Sequence, residues 1–131
     1  MNKEFIPHEQ AVELKELGFD GETMCVYNSY KHLKSVIVSS MDGDYAKREK
    51  WEDRLPAPTF SQCFRWFREK YNLYGLYMMG DDWNNFYFHI WRNDTMTKTF
   101  VTSSNWVYET YEEAELACLK KLIEIVKEKK D

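Results

Sequence analysis

The stretch from Thr110 to about Lys129, TYEEAELACLKKLIEIVKEK, constrains the fold more than any other part of the chain. Thr110 with Glu113 three residues on forms a capping box, and Glu112, Glu113 and Glu115 lie where the positive end of a helix dipole favours carboxylates. At 100° per residue, Tyr111, Ala114, Cys118, Leu119, Leu122, Ile123, Ile125 and Val126 share one broad arc. Glu113, Lys120, Lys121, Glu124, Lys127 and Glu128 hold the other side. A helix with so wide an apolar stripe must lie flat on a sheet.

The remaining elements follow from local signals. Pro7 opens a first helix whose stripe is Ala11, Leu14 and Leu17, with Gly18 as a left-handed C′ residue and Phe19 as C″ of a Schellman ending. Thr23–Tyr30 and Lys34–Ser39 read as a hairpin with Lys31 and His32 at its tip. Residues 41–55 carry nine charges and read either as a solvated connector or as a short helix starting at Asp44 with Trp51 and Leu55 as anchors on one side, ended by the stiff Pro56-Ala57-Pro58. Thr59 with Gln62 is a second capping box and starts a helix over Phe60–Tyr71, with Phe60, Cys63, Phe64, Phe67 and Tyr71 on one face and Asn72 as its left-handed stop. Tyr74–Met79 and Phe86–Trp91 flank the turn formers Gly80–Asn85, a second hairpin. Thr97–Thr102 is a weaker strand before the final helix.

The expected fold is therefore α+β, with one antiparallel sheet of about five strands and three helices mainly on one face, in the order α-β-β, charged connector, α-β-β-β-α. At 131 residues a single domain over 1–131 is expected, built from an α-β-β unit (1–40), the connector (41–57) and an α-β-β-β-α unit (58–131).

Composition bounds the partners. Charged residues make up 31% of the chain but nearly cancel at net −4, so there is no whole-molecule field to hold polyanions or anionic membranes. Cys25, Cys63 and Cys118 are far apart in apolar stretches and read as buried thiols in a reducing compartment. No amino-terminal apolar segment and no run of about 18 apolar residues occurs, so the expected location is the cytoplasm, with no membrane contact.

Two resemblances add to this. YEEAELACLKKLIEIV, FIPHEQAVELKELGF and APTFSQCFRWFREKY resemble a group of small proteins of gut bacteria and their phages, a likeness that implies membership but carries no activity with it. Pro58 to Lys129 is similar in element order and length to a double-stranded RNA-binding domain, with Ala114, Ala117 and Leu122 at the small and apolar positions of that family's last helix. Where that family sets lysines on phosphates, this chain has Tyr111, Glu112 and Glu115. Carboxylates there repel phosphate, so shape without RNA binding is expected.

No catalytic constellation stands out. His8, His32 and His89 show no metal-ligand spacing, and no metal or cofactor is expected. Cys63 and His89 with Asp81 or Asp82 would supply a nucleophile, base and orienter, but Cys63 falls on a helix's apolar stripe. Asp81, Asp82, Asn84 and Asn85 lack the spacing of an EF-hand and read as a turn. Aromatics are the one unusual feature: sixteen of the 22 lie between Phe60 and Tyr111. In Phe86–Trp91 both strand faces are aromatic, with Tyr87, His89 and Trp91 on one of them. Trp66, Trp83, Tyr87, Trp91 and Trp106, with Arg65 and Arg68, are the candidate binding residues. The expected function is a non-enzymatic interaction module that binds a protein partner or forms a homo-oligomer through an aromatic surface. The alternative is a pocket that holds or sequesters a nucleotide-like anion, as a phage-encoded protein would.

Overall fold

A computed structural model of the chain describes residues 4–35, 55–80, 85–93, 98–104 and 107–129. It divides into two compact units, Met1–Thr59 and Phe60–Asp131.

In the first unit, helix α1 (His8–Glu16) follows Pro7, whose extended backbone (φ −62°, ψ 157°) ends in a carbonyl that accepts from the Ala11 N–H at 3.0 Å. The helix closes with the expected Schellman pair. Gly18 takes φ 99°, its N–H donates to the Lys15 carbonyl, and the Phe19 N–H donates to the Leu14 carbonyl at 2.9 Å. Ala11, Leu14, Leu17 and Phe19 are all buried.

Strands β1 (Cys25–Tyr27) and β2 (Leu33–Ser35) pair antiparallel and are shorter than the hairpin expected over Thr23–Tyr30 and Lys34–Ser39. The cause is Asn28. Its Oδ1 accepts from the N–H groups of Tyr30 and His32 at 2.9 and 3.0 Å, which pulls the chain out of the strand and into a turn completed by Lys31 at φ 66°. The rest of the expected second strand, residues 36–39, and the connector as far as residue 54 lie outside the described residues.

The end of the expected connector is a strand. β3 (Leu55–Ala57) pairs antiparallel with the second edge of β1, in the order β2-β1-β3. Pro56, read from sequence as part of a stop, is tolerated because β3 is an edge strand, where a missing N–H need not break the ladder. Phe5, Cys25 and Ala57 form the small core of this sheet, with Tyr27 and Leu33 against it. The Tyr27 hydroxyl donates to the Ile6 carbonyl at 2.7 Å, and the Ile6 N–H donates to the Pro58 carbonyl at 3.1 Å.

The second unit runs α2 (Phe60–Tyr71), β4 (Leu73–Met79), β5 (Phe86–Asn93), β6 (Lys98–Ser103) and α3 (Tyr111–Lys129). Helix α2 buries Phe60, Cys63, Phe64 and Phe67 and stops at Asn72, which takes the expected left-handed conformation (φ 56°). The three strands form one antiparallel sheet in the order β4-β5-β6. Helix α3 buries the predicted stripe of Ala114, Cys118, Leu119, Leu122, Ile123, Ile125 and Val126, leaving Tyr111 44% exposed. Thr110 caps it: its Oγ1 accepts from the Glu113 N–H at 3.1 Å. The Glu113 carboxylate accepts from the Glu109 N–H at 3.3 Å, one residue earlier than the usual return bond of a capping box.

Among the described residues, the single sheet of about five strands is thus replaced by two sheets of three. Leu55–Ala57, expected to be part of the connector and its stop, takes the second edge of β1, so the amino-terminal hairpin is completed as a three-stranded sheet by a strand of its own unit.

Candidate interaction surface

The two faces of the β4-β5-β6 sheet differ. Gly75 marks the covered one: a Cβ at this position would lie 2.7 Å from Cys118 Sγ, 3.1 Å from Phe64 and 3.2 Å from Leu122. Both α2 and α3 therefore pack on that side. The ladder pairs Gly75 with Ile90 and Tyr77 with Phe88, which puts Ile90 and Phe88, both buried, on the same side.

The other face is built from alternate residues. Cross-strand pairs Tyr74–Trp91, Leu76–His89 and Met78–Tyr87 place six large side chains there. On β6, Ser103 pairs with His89, and strict alternation from Ser103 would put Phe100 under the helices. It does not go there. The register shifts between Ile90 and Trp91, so that Thr102 pairs with Ile90 but Phe100 pairs with Trp91, and Val101 is the extra residue of a bulge. The bulge turns Phe100 outward, into edge contact with Trp91 (centroids 5.2 Å apart) and His89 (5.8 Å). Tyr87 lies 5.1 Å from His89, which makes one continuous row of rings. Leu76 is 48%, Phe100 47% and Met78 37% exposed. A depression of about 460 Å³ lies in this face, lined by Tyr74, Leu76, Trp91 and Asn93.

Among the described residues expected to bind, only Tyr87 and Trp91 belong to this surface. Trp66 lies on α2, in edge contact with Phe67 and Tyr71 at 5.1 and 5.4 Å, and the Lys70 ammonium sits 5.1 Å from its ring. Arg65 is held by Glu69 one turn on, at 2.9 Å, with both side chains largely in solvent. Arg68 lines a second depression, with Phe64 and Tyr111, at the β4 edge. Trp83 and Trp106 lie outside the described residues, as do Asp81, Asp82 and Asn84. The described candidates therefore do not converge on one pocket: the aromatics on β5 and the arginines on α2 belong to opposite sides of the sheet.

The same division separates Cys63 from His89. Cys63 is fully buried on the helix side, where desolvation pushes its thiol far above the ordinary range, and His89 belongs to the opposite face. All three cysteines are free and buried, and burial, then the nearby Glu115, pushes the Cys118 thiol up to about 12. The Tyr77 hydroxyl faces the Glu115 carboxylate, beside Tyr111 at 4.9 Å ring separation. Desolvation raises the Glu115 carboxyl above its usual value, the Tyr77 bond opposes this, and Glu112 adds to the rise. Glu112 and Glu113 are exposed at the start of α3. Among the described residues, no group of three His, Cys, Asp or Glu is placed to hold a metal ion, and no helix is long and apolar enough to cross a membrane.

Sequence reasoning missed Tyr74, Leu76, Met78 and Phe100. The first three were legible as the alternate positions of Tyr74–Met79, while Phe100 was not, because its side depends on the bulge. Comparison with protein-family models, curated proteins and solved structures gives no match.

Proposed function

We propose that this chain is a cytoplasmic, non-enzymatic interaction module that binds a protein partner, or a second copy of itself, through the outer face of β4-β5-β6. The bulge at Val101 carries this reading. A side chain as apolar as Phe100 would gain by turning under the helices, yet the extra residue sends it out to join Trp91, His89 and Tyr87. Bulges commonly re-aim a side chain beside a functional surface. Aromatic rings and methionine are also the groups that dominate the buried centres of protein interfaces.

The test is affinity enrichment from the cells that make the protein, with wild type compared with Phe100→Thr and Trp91→Ala at matched folding. A co-purifying protein or a self-associated form lost in both variants supports the reading, and retention in both contradicts it. For the nucleotide-like anion alternative, Tyr87 and Trp91 lie on the other side of the sheet from Arg65 and Arg68, and of the described tryptophans Trp66 alone shares a helix with the guanidiniums.

A further inference from the structure

Strand β4 ends its sheet, and among the described residues no strand lies on its outer edge. The ladder decides which backbone groups face that edge. The Gly80 N–H donates to the Asn85 carbonyl at 2.7 Å, and the Asn93 N–H donates to the Asn72 carbonyl at 2.9 Å. In an antiparallel pair the hydrogen-bonded positions alternate, so Tyr74, Leu76 and Met78 bond to β5. The N–H and C=O groups of Leu73, Gly75, Tyr77 and Met79 then point away from it. The strand reads LYGLYMM, with no charge and no proline, two of the devices by which edges are protected from added strands.

Helix α2 lies alongside. Ser61, Phe64 and Arg68, spaced i, i+3, i+7, line a groove of about 280 Å³ whose other wall is the Gly75–Tyr77 backbone, with Tyr111 also lining it. Arg68 is half-buried there and makes no ion pair among the described residues. We infer that this groove accepts an extended segment of a partner protein as an added strand on β4, with an acidic side chain of that segment on Arg68. Seven residues of β4 span about 20 Å, enough for a segment of similar length. Pairing β4 with β4 of a second copy would bring two Arg68 to one seam, and among the described residues neither has an ion-pair partner to neutralise it. The charge therefore favours an occupant that brings the acid.

This site is distinct from the outer aromatic face, and the two are tested separately. The full chain is panned against random ten-residue peptides displayed between fixed flanks, and the selected peptides are titrated by fluorescence anisotropy. Selected sequences are expected to alternate apolar residues and to carry Asp or Glu. Arg68→Glu and Met79→Pro should each weaken binding about tenfold or more. Met79→Pro removes an edge donor without breaking a bond to β5, so its urea midpoint should stay near that of the parent. Phe100→Thr should bind these peptides within about twofold of the parent, because that ring belongs to the other surface. The inference is overturned if no peptide is selected, or if the selected peptides bind Arg68→Glu and Met79→Pro as well as the parent. It is also overturned by a chain that binds no peptide but dimerises until Met79→Pro makes it monomeric. None of these results touches the outer-face reading, which stands or falls at Phe100 and Trp91.

Discussion

Gly75 and Cys118 are in such close approach that a methyl group on the glycine would sit 2.7 Å from the cysteine sulfur. The absence of a side chain at position 75 lets α3 settle onto β4, with Phe64 of α2 and Leu122 of α3 also within 3.2 Å of where a Cβ would lie. Gly75→Ala should therefore cost about 1–3 kcal/mol through overpacking. Adding Cys118→Ala should recover part of this loss, since the sulfur is the nearest obstacle. Urea denaturation of the two single variants and the double variant measures the coupling. Simple additivity would contradict the close approach.

Thr110 holds the start of α3 through one bond, from the Glu113 N–H to its Oγ1. Thr110→Ala should cost about 1 kcal/mol, and Thr110→Asp, which restores an acceptor and suits the dipole, should cost much less. Thermal melts followed at 222 nm would show both.

Glu115 should give a pH signature. Its native carboxyl is raised above the ordinary 4.5, chiefly by desolvation, so the folded state holds its proton longer than the unfolded state does. That contribution is fully present below pH 4.5 and is lost as pH rises through the native value. Glu115→Gln keeps the shape of the side chain and removes the titration. Its stability relative to wild type should rise across that window and then level off. A difference that is flat from about pH 4 to 8 would contradict the assignment.

The two faces of the sheet should respond differently to truncation. Phe88, buried on the helix side at 4% exposure, should cost about 3–5 kcal/mol as Phe88→Ala. Phe100→Thr, on the outer face and with a β-favouring replacement, should cost less than about 1 kcal/mol. Equal losses would mean that Phe100 is a core residue.

Much of the architecture was legible because it rests on local chemistry. The Schellman ending at Gly18, the left-handed Asn72, the Thr110 cap and the stripe of α3 each depend on a few adjacent residues. What was not legible depends on partners remote in sequence. Nothing in Leu55-Pro56-Ala57 announces a strand until β1 offers it an edge, and that pairing adds a third strand to the amino-terminal hairpin. The candidate site divides in the same way. Tyr87, His89 and Trp91 could be assigned a common face by alternation alone. Trp66 and the arginines could not be separated from them without knowing on which side of the sheet α2 packs, and Phe100 was hidden by a single extra residue.

The claim that the outer face binds protein is tested most directly by a photo-crosslinking residue. Benzoylphenylalanine would replace Phe100 in the cells that make the protein, with Glu124, exposed on α3, as the control position. The account predicts one discrete protein adduct from position 100, either a second copy of the chain or one other protein, that is absent from position 124 and lost when Trp91→Ala is added. No protein adduct at position 100, or the same adducts from both positions, would contradict it.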